Sequence, residues 1–225
     1  MIARSHITGL ILAGGRARRM QEGSLDVDKG LIGLDDAPLV AHAQRYLAPQ
    51  VSSILVSANR HLEDYADYGR VVSDDPGLGS DLGPLAGVVS ALSLLPTPWL
   101  AVVPVDVLNL PPDMVARLIL AADTAGAMIA YASTARPDQD SDSAHDGRRA
   151  SGQGGRAHPL CMVLHASLED SLRNYLQQGD RKVQLWQESQ SAVPVFFDGG
   201  ADAFFNINTP EDLRLAAQAS QRARS

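Results

Sequence analysis

What most constrains the fold of this sequence is a recurring alternation. Short, largely apolar runs are separated by stretches of helical length. Residues 7–13 (ITGLILA), 53–58 (SILVSA) and 99–105 (WLAVVPV) are such runs, and none alternates apolar with polar residues in the way of a half-buried strand. Strands that stay apolar throughout are covered on both faces, as in a parallel sheet flanked by helices. Residues 70–73, 126–131 and 158–164 read as further strands, and residues 38–47, 83–95, 111–122, 167–178 and 210–222 as helices. Strands and helices in this order predict an α/β fold with a mostly parallel sheet. A length of 225 residues suits one domain of that kind.

Composition removes several function classes. Nineteen basic residues stand against 26 acidic ones, a net charge of −7, which argues against binding nucleic acid through overall charge. A local cationic pocket for a polyphosphate is compatible with that balance. The single cysteine, Cys161, excludes an internal disulfide framework, and its apolar surroundings (Leu160 to Leu164) read as core. No apolar run approaches the length of a membrane span, and residues 7–13 are too short for a secretory signal. The expected location is the cytoplasm, with no membrane partner. Residues 132–157, rich in Ser, Asp, Gly and Arg, read as a mobile surface loop, and residues 218–225 as a frayed tail.

In parallel α/β sheets, ligands bind beyond the carboxyl ends of the strands. After the first predicted strand comes Leu12-Ala13-Gly14-Gly15, followed by Arg16, Arg18 and Arg19, with Lys29 further on in Asp28-Lys29-Gly30. Glycines allow backbone N–H groups close to an anion, and arginines and a lysine supply phosphate donors. The same residues also suit a plain glycine turn with solvated cations. Neither a Walker A loop nor a dinucleotide fingerprint is present. Asp106, just after residues 99–105, is a candidate Mg²⁺ ligand or a turn aspartate. Asn59 and Asp74 end two other strands, and Gly83 opens the apolar helix; each suits a nucleoside contact or an ordinary turn. His158 opens a strand and reads as structural. Thr209-Pro210-Glu211-Asp212 is a helix-start signature, which leaves Asn206 and Asn208 open to ligand contact.

Taken together, these segments resemble the molybdenum cofactor guanylyltransferase (MobA) family. The resemblance rests on Leu12-Ala13-Gly14-Gly15 with Arg18-Arg19-Met20, Asp28-Lys29-Gly30-Leu31, Asn59-Arg60-His61, Gly83-Pro84-Leu85-Ala86-Gly87, Asp106 before Pro111-Pro112, His158-Pro159, and Asn206 to Pro210. It covers nearly the whole chain. It implies a Rossmann-like three-layer nucleotidyltransferase fold, with GTP and molybdopterin as substrates and Mg²⁺ as cofactor. It also implies transfer of GMP to the terminal phosphate of molybdopterin, with release of pyrophosphate. Molybdopterin-delivering proteins and client molybdoenzymes are further candidate partners.

Carried over residue by residue, Leu12, Ala13, Gly14 and Gly15 would contact the nucleotide. Lys29 and Arg19 would contact phosphate, Asn59 and Asp74 the nucleoside, and Asp106 the Mg²⁺. The pair Gly14-Gly15 favours guanylyl over cytidylyl transfer. This chain departs from the family pattern in the added residues 21–25, in Val107-Leu108-Asn109 after Asp106, and in the 132–157 insertion. The residues themselves leave open a related transferase using CTP or a sugar-phosphate acceptor, and a non-catalytic molybdopterin carrier.

Overall fold

Strand β1 (Ile7–Leu12) is followed by a 3-10 turn at Lys29–Leu31 and a small hairpin, β2 (Gly33–Leu34) with β3 (Ala37–Pro38). Helix α1 (Leu39–Leu47) leads to β4 (Ser53–Ser57), a short α2 (Leu62–Ala66) and β5 (Arg70–Val72). A 3-10 turn at Pro76–Leu78 and α3 (Pro84–Leu92) precede β6 (Trp99–Pro104), β7 (Val107–Leu108) and α4 (Met114–Ala125). The second half holds β8 (Ile129–Ser133), β9 (Ala157–His165), α5 (Glu169–Gln177), α6 (Val183–Ser189), β10 (Val193–Phe196), β11 (Phe205–Asn206) and α7 (Pro210–Arg224). This computed structural model describes residues 2–14, 28–79, 82–134, 156–198 and 203–224. Most of the segment read as a mobile loop, residues 135–155, lies outside them.

Seven strands form one sheet in the order β10-β8-β9-β6-β1-β4-β5. The pairs β6–β1, β1–β4, β4–β5 and β10–β8 are parallel, whereas β9 runs antiparallel to both β6 and β8. The predicted α/β class with a mostly parallel sheet is therefore the observed one. Adjacent side chains on a strand face opposite ways, and β1 shows the consequence. Ile11 packs on the face that holds Leu39, Leu47, Met114 and Leu118, whereas Leu10 packs on the face that holds Leu85, Val89, Leu172 and Trp186. Helices α1 and α4 thus cover one side, and α3, α5 and α6 the other.

Three local expectations change. The helix expected from residue 111 starts at Met114; Pro111 and Pro112 stand ahead of it, and the Tyr46 hydroxyl donates to the Pro111 carbonyl at 2.7 Å. Helix α7 continues through residues 218–224, where a frayed tail was expected. Helices α2 and α6, of five and seven residues, are too short to give a periodic signal and were not anticipated. Cys161 is buried in the core, as its apolar context suggested, and burial pushes its thiol pKa up.

One glycine sets how closely α3 approaches the sheet. A Cβ on Gly87 would collide with the Oγ of Ser57 and lie 2.9 Å from its Cβ. Glycine therefore lets α3 lie directly on the end of β4. We expect Gly87→Ala to destabilise the fold by about 1–3 kcal/mol, the usual cost of overpacking. Urea denaturation checks this, and an unchanged midpoint would refute the close-approach argument.

Candidate active site

The parallel ladder fixes the geometry of the site. Leu12 is in register with Ser57 and Pro104, and Ser57 with Val72. The pairing continues one residue further: Ala13 N–H donates to Ser57 O, Ala58 N–H to Val72 O, and Val105 N–H to Leu12 O. Just beyond, the chains leave the sheet at Gly14, Asn59, Asp74 and Asp106. All four line a single cleft of about 820 Å³, together with Leu12, Lys29, Arg60 and Gly83. That volume falls within the roughly 300–1,000 Å³ usual for small-molecule sites.

Lys29 begins the 3-10 turn and reaches across the cleft floor. Its ammonium donates to Asp106 Oδ2 at 2.5 Å and to Asn208 Oδ1 at 2.9 Å. The Lys29 side chain is 12% exposed and that of Asp106 is 24% exposed, so the pair is shielded yet reachable from the cleft. The turn is anchored from behind. Buried Asp28 accepts the Tyr65 hydroxyl at 2.8 Å and approaches an Arg60 nitrogen at 3.4 Å. Gly30 then passes so near Tyr65 that an added Cβ would lie 2.5 Å from its Oη. The Asp28-Lys29-Gly30 sequence thus has a packing reason at its first and third positions. Desolvation first, and then the Asp28 carboxylate, raise the Tyr65 pKa, which keeps the hydroxyl a donor.

The opposite wall is also pre-ordered. Asn59 and Asp74 join the ends of β4 and β5 reciprocally: Asn59 Nδ2 donates to Asp74 Oδ2, and Asp74 N–H donates to Asn59 Oδ1, each at 2.8 Å. Asn208 is held by the expected helix start. Asp212 N–H donates to Thr209 Oγ1, and the Asp212 carboxylate accepts from the N–H groups of Asn208 and Thr209. Those amides, Asn208 first, hold the Asp212 carboxyl below its ordinary pKa.

Not every predicted residue converges. Gly15 and Arg19 lie outside the described residues. Ala13 is fully buried and its N–H is taken by Ser57, so it offers no free donor to a ligand. Asn206 sits in β11, paired with Val107 of β7, and its amide donates to Phe204 O; it does not line the cleft. Arg60 lines the cleft but was noted in the sequence only as part of a motif. Tyr65 had no sequence signal, because its partner Asp28 is 37 residues away.

Comparisons with known proteins give the family and the fold. The model of the MobA-like NTP transferase domain matches residues 9–193. A molybdenum cofactor guanylyltransferase of Ralstonia nicotianae is 42% identical over 218 residues, covering 97% of this chain and 99% of the relative. Among solved structures, molybdopterin-guanine dinucleotide biosynthesis protein A from Archaeoglobus fulgidus matches with a TM-score of 0.69 at 21% identity, covering 96% of this chain and 99% of that one. The 2-C-methyl-D-erythritol 4-phosphate cytidylyltransferase of Thermus thermophilus matches with a TM-score of 0.65 at 15% identity, covering 94% and 98%. At those identities the two structures share the fold.

His158 behaves as a structural group. Its ring stacks on Phe204 at 4.2 Å and 15°, and burial, aided by Arg156, lowers its pKa to about 4. An unfolded chain protonates this ring near pH 6.5, whereas the folded chain resists until about pH 4. The stabilisation from the neutral ring is therefore complete above pH 6.5 and is lost as pH falls toward 4. We expect His158→Phe, which keeps a stacked ring and removes the titration, to flatten the urea midpoint between those pH values relative to wild type. Parallel curves for the two proteins would refute the assignment.

Proposed function

This chain belongs to the MobA-like NTP transferase family, and we propose that it transfers GMP from GTP to molybdopterin, giving the guanine dinucleotide form and pyrophosphate. The observation that carries this reading is the Lys29–Asp106 pair on the floor of a cleft whose wall holds Asn59 and Asp74. The cleft therefore has a charged end suited to phosphates and a polar end suited to a nucleoside.

The base follows from chemistry. An ionised carboxylate only accepts hydrogen bonds. Guanine presents an N1–H and an N2 amino group side by side, a donor pair that cytosine lacks. Asp74, held by Asn59, matches guanine in this respect.

A divalent cation also fits. Asp106 is a carboxylate just beyond the end of a buried strand and lines the cleft. One carboxylate with substrate phosphates and water completing the shell is a Mg²⁺ arrangement. Asp106 would hold the ion, which when bound offsets negative charge on the phosphate oxygens.

In the reaction, an oxygen of the molybdopterin phosphate attacks the α-phosphorus of GTP. The bond from that phosphorus to the oxygen bridging to the β-phosphorus breaks, and its electron pair leaves with pyrophosphate. No protein nucleophile is required, so the chain contributes position and charge. Lys29 would offset the negative charge that moves onto the leaving group, and its hydrogen bond to Asn208 limits where the ammonium points. Gly14 leaves room for the triphosphate against the backbone. The substrates are small molecules of the cytoplasm, where we place the reaction. Delivery proteins and client molybdoenzymes would supply one substrate and receive the product. Among the described residues, no helix is long and apolar enough to cross a membrane.

Calorimetric titration with GTP and then CTP, Mg²⁺ present, tests the base. GTP preference is expected, and a CTP preference would overturn the guanylyl reading. Lys29→Ala should lower kcat on the order of a hundredfold, the weight of one key electrostatic donor. Near-normal pyrophosphate release would remove Lys29 from the chemistry. Asp106→Asn should shift the Mg²⁺ activation curve to higher concentration, and an unchanged curve would place the metal ligand elsewhere.

A further inference from the structure

The wall that carries Asp74 is continuous with a turn fixed from outside the cleft. Asp75, the next residue, accepts the Leu78 N–H at its carbonyl and is tied at three further points. Its N–H donates to the Oγ of buried Ser90 on α3 at 2.9 Å, its Oδ1 accepts the Gly77 N–H at 2.9 Å, and its Oδ2 accepts Arg173 Nη1 at 2.8 Å. The first two ties are local to the turn and to α3. The third comes from α5, which packs against α3 and against this turn, 98 residues along the chain. Glu169, one helical turn before Arg173, accepts its second nitrogen at 3.3 Å and so orients the guanidinium toward the turn. Arg173 does not line the cleft.

We infer that Arg173 is a positioning residue for the nucleoside end of the cleft, acting through Asp75 to keep the 74–79 turn where Asp74 and Asn59 pair. The inference rests on the reading of the cleft as a GTP site. Two physical effects support it. Asp74 and Asp75 are adjacent carboxylates near the approach of a polyanion. Arg173 offsets the charge of Asp75, leaving Asp74 as the acceptor that faces the ligand. The ion pair also limits the turn's freedom before binding, so less ordering remains when the ligand arrives. The Asp75 carboxyl is held below its ordinary pKa, by Arg173 first and then by the Gly77 amide.

The test is GTP affinity by calorimetry, together with kcat at saturating GTP, for wild type, Arg173→Met, Arg173→Lys and Asp75→Asn. Arg173→Met should bind GTP about fivefold more weakly, the weight of one partly exposed ion pair, with kcat unchanged. Arg173→Lys, which keeps the charge, should recover most of the affinity. Asp75→Asn keeps the Gly77 cap and breaks the ion pair but also removes the charge that Arg173 offsets, so it should weaken GTP binding less than Arg173→Met does. Wild-type affinity in Arg173→Met, or weaker binding in Asp75→Asn than in Arg173→Met, overturns the inference, as does a fall in kcat with affinity unchanged, since a general loosening of the fold would give that pattern. Wild type that binds no GTP overturns the reading of the cleft and the inference with it. Wild type that binds GTP with variants that match it overturns the inference alone.

Discussion

Parallel strands bonded at equal heights deliver whatever follows them to one place, and here Leu12, Ser57, Val72 and Pro104 form one such rung. Two residues further along each strand stand Gly14, Asn59, Asp74 and Asp106, the lining of the cleft. A register shift of one residue in any of these strands would exchange its side chains between the two packed faces and turn its polar end residue away from the others. Burial of both faces of the sheet therefore holds the site in place, because the packing that stabilises the core is the packing that sets these heights. Gly87 belongs to the same constraint, since its missing side chain lets α3 rest on Ser57 of that rung.

The site is closed by residues far apart in the chain. Lys29 meets Asp106 across 77 positions and Asn208 across 179. The short antiparallel pair β7–β11 brings the segment before α7 alongside the residue that follows Asp106. The helix start at Thr209 and Asp212 then fixes the backbone of Asn208. Long loop closures of this kind cost entropy, and each is met here by a specific hydrogen bond inside or beside the cleft.

The charge balance also makes sense at this scale. A chain with a net charge of −7 must still receive a polyanion if it handles a nucleoside triphosphate. Its cleft cations are not loose. Lys29 is docked on Asp106, and Arg60 lies against Asp28, which Tyr65 also holds. Carboxylates of an acidic chain thus serve as fixtures for the cations of its site, in the manner of preorganised electrostatics.

The sequence by itself determined the parallel α/β class, the buried strands, the core character of Cys161 and the helix start at Thr209 to Asp212. Each of these is written in apolar period or in hydrogen bonds a few residues long. It also carried the motifs that mark the family, and with them Lys29, Asn59, Asp74 and Asp106 as candidates. Tertiary structure alone decided that β9 runs antiparallel between β6 and β8, that Asn208 and not Asn206 reaches Lys29, that Tyr65 holds Asp28, and that Arg173 holds Asp75. The physical reason is that strands apolar on both faces carry little register information, and a pairing across tens or hundreds of residues depends on the order and register of the sheet between them. Local chemistry names the groups, and only the packed sheet decides which of them meet.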